Sequence, residues 1–330
     1  MDEDMQRRQA LKYLGGGLLA VGTGRAAQNT VIGYGRLTGT NLTEQDLQPI
    51  VTEHLDADEY TTDVGEYELS LSGDEIGLSD GDGTLETLSV TESTPEAGAA
   101  VDDEYDLPGS PVEQLLRDVP ALRAGEYVVE PSGYERFFDR LRDVEPRPFS
   151  VGTTRNRYTG ADPAVVEEFL GSPPTDPERV LAELMAAFRE YSNYDVTRYL
   201  AGSVEDNVLM SQVELREYFE SPTDFAAIAD GENTGMFCTE LTRRSAEALL
   251  AVPAHEATLP VVAGYVQNSR HKHAYTGIAS LYRRDGELVL PMTFVDYTHT
   301  TQYDDFHVRR LLGEGLDAYD TGHRATGMYW

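Results

Sequence analysis

The chain has 330 residues, 40% of them apolar, which is enough for one large packed unit or two modest ones. Its 58 acidic residues outnumber 26 basic ones, for a net charge of −32, and Lys12 and Lys272 are the only lysines. Such a charge repels nucleic acid and anionic lipid. Because it is spread along the chain, it marks adaptation to high salt, where screening over a few ångström removes the self-repulsion.

At the N-terminus, Arg7–Arg8–Gln9–Ala10–Leu11–Lys12 form a basic opening, followed by an apolar, glycine-rich run from Tyr13 to Gly22. That run is far short of the roughly 20 residues of a membrane span. The paired arginines followed by Leu-Lys resemble a twin-arginine export signal. Residues 1–27 are therefore expected to be an address, and the protein to be exported, outside the cell or at its surface. Its contact with a membrane would be limited to that signal if it stays uncleaved. No cysteine follows the apolar run, which excludes a lipid anchor through a lipobox thiol.

Residues 28–105 read as a β-rich accessory region. Thr43 to Leu55 is a short helix candidate interrupted by Pro49, while Tyr67–Ser72 and Thr87–Thr91 alternate at period two as strands do. Between the strands, Ser79–Asp80–Gly81–Asp82–Gly83 is a hairpin turn; its acidic residues lack the spacing of a calcium loop. Glu92 to Ser110, rich in Pro, Gly, Ala and acid, reads as a linker, and 106–150 as linker and helical connection. There is no internal repeat.

The remaining unit, 151–330, opens with a helix signal: Asp176 before Pro177, then Val180, Leu181, Leu184, Met185, Phe188 and Tyr191 at helical spacing. Val213–Phe219 and Pro222–Ile228 suggest further short helices. They lead to a loop, 231–235, whose Asn233, Thr234 and Gly235 are turn and capping residues. A helix from Cys238 to Leu250 follows, with Leu241, Ala248 and Leu249 inward and Arg243, Arg244 and Glu247 toward water. Cys238, the only cysteine, then stands in the first turn, where unpaired N–H groups and the helix dipole favour a thiolate. A buried strand Val261–Val266, a polar bend Gln267–Arg270, a strand Ala274–Tyr282, a turn at Asp285–Gly286 and a returning strand Leu288–Val295 complete the pattern. The hairpin brings His273 toward Asp296. Thiol, imidazole and carboxylate thus follow one another in the order needed for a nucleophile, its base and the group that orients the base.

Gly235–Met236–Phe237–Cys238, the helix, Val262–Ala263–Gly264–Tyr265–Val266, His273–Ala274–Tyr275 and Val295–Asp296–Tyr297–Thr298 together resemble the transglutaminase-like superfamily, over roughly 176–300. The resemblance implies an α+β fold with a papain-like core, in which a helix bearing the cysteine packs on an antiparallel sheet bearing histidine and aspartate. It implies Cys238 as nucleophile, His273 as base and Asp296 as orienting residue. It further implies action on amide bonds of a peptide or protein substrate through an acyl-enzyme, without a cofactor. The chain departs from the family pattern in four places. Tyr275 stands where a tryptophan is usual, and Asp296–Tyr297–Thr298 where Asp-Pro-Thr is usual. The glycine lies one residue further from the cysteine, and Pro253–Leu259 is an extra stretch.

Two other readings follow from the same residues. The His271/His273 pair, with His299, His307, Asp304 and Asp305 near in sequence, offers metal-ligand types, although no second pair falls at a familiar spacing. Alternatively the domain is an inactive module that binds peptide or polymer at the cell surface. For the oxyanion, the Cys238 N–H is one candidate donor; Tyr191, Tyr194 and Tyr199 are candidates for the second only because they precede the thiol.

Overall fold

The N-terminal part opens with Gln48–Thr52 (α1), a short helix with Pro49 in its first turn, and strand β1 follows at Tyr60–Val64. The structure, a computed structural model, describes residues 45–195, 197–198, 201, 222–231, 234–270, 272–298 and 323–330. The proposed signal, the segment Val213–Phe219, Tyr199, His271, His299, His307, Asp304 and Asp305 lie outside them. The helix expected over Thr43–Leu55 is thus observed only as α1, because the proline that starts it limits how far it can extend backward.

After β1 come β2 (Tyr67–Ser72), β3 (Glu75–Asp80) and β4 (Gly83–Ser89), which pair antiparallel in sequence order as a four-stranded meander. The acidic turn is a hairpin: Asp80 Oδ1 accepts the backbone N–H groups of Asp82 and Gly83. Two helices follow, α2 (Pro95–Glu104) and α3 (Pro111–Ala124). The linker reading of 92–110 is therefore corrected. Thr94 caps α2 by accepting the Ala97 N–H, Pro95 takes the first turn, and Asp102 accepts the N–H groups of Val112 and Glu113 at the start of α3. Composition suggested a spacer; the cap, the proline and the acidic residue at the next helix start build a helical corner.

The chain continues through β5 (Val128–Pro131), α4 (Tyr134–Asp143), α5 (Pro148–Gly152), α6 (Pro163–Leu170) and α7 (Pro177–Tyr191). Asp176 caps α7 through the N–H groups of Glu178 and Arg179. Strand β6 (Ser192–Tyr194), helix α8 (Phe225–Asp230) and strand β7 (Thr234–Met236) lead to α9 (Cys238–Leu249). Then come β8 (Val262–Asn268), β9 (His273–Ala279), β10 (Tyr282–Arg284), β11 (Glu287–Val295) and β12 (Gly327–Tyr329). These strands form a sheet in the order β10-β11-β9-β8-β12, antiparallel throughout, with β5 added parallel to β11. Asp285 and Gly286, at φ of 54° and 87°, make the tight β10–β11 turn. The protein is thus α+β.

The sheet separates two apolar cores. On one side, Val262, Val266, Tyr275, Phe294, Met328 and Trp330 pack with the meander, α2 and α3. On the other, Ala263, Ile278 and Val295 pack with α7, α8 and α9 through Leu184, Phe188, Ile228, Leu241 and Ala246. Alternate residues of the central strands serve opposite cores, as the period of two requires. The apolar meander face is therefore buried against the sheet.

Two buried ionic groups tie the sheet to its surroundings. Asp118, wholly buried on α3, accepts from Arg147 and Arg283 at 2.7 Å each and from Ser150. Arg155 follows α5 and donates to the carbonyls of Val252 and Val261, which bracket the extra stretch Pro253–Leu259. Burial pulls the Arg155 guanidinium down to about 10.

Candidate active site

The site is built from two strand ends and one helix start. His273 is the first residue of β9 and Asp296 directly follows β11, so both stand at the same end of the sheet. Extending the β9–β11 register, in which Val295 faces Thr276, places Asp296 opposite Tyr275 and two residues from His273. α9 packs across β8 and β9 and carries Cys238 as its first residue.

Local chemistry fixes that helix start. The cap is Phe237, where turn residues before it had been expected to serve; Thr234 and Gly235 belong instead to β7, parallel to β6. The Glu240 carboxylate reaches back to accept the Phe237 N–H at 2.5 Å, which is half of a capping box. Arg198 covers the Phe237 ring at 4.0 Å and forms ion pairs with Glu240 and Asp195. Thr242 Oγ1 donates to the Cys238 carbonyl at 2.7 Å. Along the same helix Glu247 is buried, not solvated: it pairs with Arg243 at 2.9 Å and Arg244 at 2.5 Å. Its position on a water-facing stripe was misleading because two arginines from the same face fold over it.

Cys238 is half-buried and lies against His273, close enough for its sulfur to raise the imidazole. His273 Nε2 lies 2.8 Å from Asp296 Oδ2. Since Nε2 is turned to the carboxylate, Nδ1 is the ring nitrogen left for the thiol. Burial pulls the His273 imidazole down, but the Asp296 charge and hydrogen bond, together with Cys238, outweigh it and raise the group to about 10. His273 is therefore an imidazolium at neutral pH beside the sulfur. The structure brings Cys238, His273 and Asp296 together, as their order in the sequence suggested.

One further residue was not legible in the sequence. His323 Nε2 lies 2.7 Å from the same Asp296 Oδ2 that His273 uses, and its side chain is 3% exposed beside a carboxylate that is 1% exposed. It arrives on the segment that enters β12, which pairs with β8, and a histidine brought in by long-range strand pairing leaves no spacing signal. Asp296 Oδ1 accepts the Thr298 N–H at 2.9 Å, so three N–H donors converge on this carboxylate. Tyr275, in the place usual for tryptophan, is wholly buried and donates its hydroxyl hydrogen to the His323 carbonyl. Burial, then the Asp296 charge, pushes that phenol well above its usual range.

Tyr265 on β8 stands near the thiol; burial first and then Cys238 push its phenol up to about 12. Tyr191 packs among the apolar residues around α7 and does not join the site, whereas only the backbone of Tyr194 is described. His273, Asp296 and His323 are the one group of three ligand-type side chains among the described residues with donor atoms within 4.8 Å of one another. Ligands held about 2.1 Å from a tetrahedral ion stand roughly 3.4 Å apart. Contacts of 2.7 and 2.8 Å fit a hydrogen-bonded chain better. Comparison with family models, with characterised proteins and with solved structures gives no match for this chain, so its reading rests on the residues themselves.

Proposed function

We propose that the chain is a thiol enzyme of transglutaminase-like type, with a papain-like core, acting on amide bonds of peptide or protein substrates. The observation that carries this reading is His273 hydrogen-bonded to the buried Asp296 carboxylate and lying beside Cys238. The thiolate attacks the amide carbonyl carbon, forming a C–S bond while the carbonyl electrons move to oxygen. On collapse the C–N bond breaks, and the departing nitrogen takes the proton of His273. The thioester then passes its acyl group to water or to an amine. His273 accepts the incoming nucleophile's proton, and Cys238 leaves as thiolate. The Cys238 N–H at the start of α9 favours the oxyanion. The chemistry requires no cofactor. With an export signal, the substrate would be met outside the cell.

The test is the alkylation rate of Cys238 against pH in molar salt, for the native protein and His273→Ala. The expected result is a thiol that alkylates fast at neutral pH in the native protein and loses this in the variant. If both proteins react as a free thiol, the domain is a binding module instead. Amine incorporation into a glutamine-containing protein, set against ammonia release without added amine, separates transfer from hydrolysis. A metal-dependent hydrolase is the second reading, favoured only by the convergence of His273, Asp296 and His323. Stoichiometric zinc in the purified protein is the result that would select it.

A further inference from the structure

We infer that His323 is a positioning residue of the thiol site, which clamps Asp296 through the carboxylate oxygen used by His273. This rests on the thiol-enzyme reading. An ionised carboxylate only accepts hydrogen bonds, so each Nε2 within 2.7–2.8 Å of Oδ2 must carry a hydrogen. Asp296 is thereby fixed on both sides: Thr298 N–H holds Oδ1, while His273 and His323 share Oδ2.

The clamp is itself anchored. The Tyr275 hydroxyl holds the His323 carbonyl, and the Tyr275 ring lies 5.4 Å from the His323 ring. The two imidazoles meet edge to face at 5.2 Å. Just beyond His323, the Gln45 side chain bridges both backbone groups of Ala325, and β12 pairs with β8. Among the described residues, the titratable groups facing His323 are Asp296, His273 and Tyr275, of which only Asp296 is an anion at neutral pH. Without His323 the carboxylate loses one of the two hydrogen bonds that the described residues make to Oδ2, and its hold on His273 loosens. The imidazolium then loses its acceptor for part of the time, and with it the geometry in which Nδ1 meets the sulfur.

The experiment compares His323→Phe, His323→Gln and the native protein by Cys238 alkylation between pH 5 and 11 in molar salt. Cys238→Ser and His273→Ala serve as controls, and circular dichroism confirms folding. Phenylalanine keeps the ring volume and removes the donor; glutamine keeps an N–H at comparable reach. His323→Phe is expected to slow alkylation at neutral pH about tenfold and to move the alkaline edge of the profile down by at least one pH unit. His323→Gln is expected to restore both. A purely structural role would lower thermal stability without moving the edge.

Should the phenylalanine variant not fold, nitrogen-15 spectra of the native imidazoles still decide. Two Nε2-bound hydrogens are expected, and a His323 protonated on Nδ1 alone overturns the clamp. A folded His323→Phe protein with the native profile overturns it too, as does zinc that co-purifies and is lost in the glutamine variant. If His273→Ala also leaves the profile unchanged, the thiol-enzyme reading has failed and takes the clamp with it. If only His273→Ala changes it, the clamp alone has failed.

Discussion

Replacing Asp296 by asparagine removes the charge that faces His273 and keeps the side-chain shape. The rise of His273 from 6.5 to about 10 corresponds to roughly 5 kcal/mol of preference for the imidazolium. In the variant burial still opposes the proton and only the smaller contribution of Cys238 still favours it, so His273 of Asp296→Asn should lose its proton well below pH 10. Two alkylating reagents read this directly. Iodoacetate, an anion, is drawn to an imidazolium beside the sulfur; iodoacetamide, being neutral, is not. The ratio of their rates in the native protein should stay high through neutral pH and fall near pH 10, whereas in the variant it should fall at distinctly lower pH. A folded variant whose ratio curve superimposes on the native one would refute the assignment of Asp296 as the partner of His273. Stability carries the same signature. An imidazole that binds its proton more tightly when folded contributes fully below pH 6.5 and loses that contribution as pH rises through about 10, so native thermal stability should decline across that window more than the stability of Asp296→Asn does.

Asp118→Ala leaves Arg147 and Arg283 facing a buried void, and urea unfolding should show a loss of about 3–5 kcal/mol; a loss under 1 kcal/mol would refute the buried network. Gly264→Ala places a Cβ 2.5 Å from the Tyr329 carbonyl and 2.8 Å from Trp330, so it should displace β12, cost about 1–3 kcal/mol and slow Cys238 alkylation, as measured by thermal unfolding and thiol kinetics. Arg198→Ala strips the cover from Phe237 and the partner from Glu240; alkylation should slow several-fold with little change in the pH of its alkaline edge. With a net charge of −32, transfer from molar to about 0.1 M salt should lower the unfolding temperature, and an unchanged temperature would remove the high-salt reading.

Elements whose signals are local were legible in the sequence. The Asp176–Pro177 cap and the apolar positions from Val180 to Phe188 specify α7, and Asp285–Gly286 specifies the turn that returns β11 toward β9. Cys238, His273 and Asp296 were legible because consecutive elements deliver them. Long-range contacts supplied what was missed. His323 is aimed by strand pairing that skips the chain between β11 and β12, and Glu247 is buried by arginines whose folding-over no periodicity records. The 92–110 stretch misled because composition was weighed over its caps: Thr94 and Asp102 are helix-terminus residues, and the alanines between them form the helix.

The Arg155 guanidinium has a consequence for how this protein tolerates change. By holding the Val252 and Val261 carbonyls together, it closes the base of the intervening loop, which Ala254 and Leu259 also pin to the two cores. The strain of a longer or shorter crossover from α9 into β8 then ends at that clasp and does not reach the strand that carries Tyr265. Positions 256–258, none of them buried, are accordingly where foreign sequence could be spliced in, at the end of α9 away from Cys238, so that the thiol's helix and sheet keep their spacing.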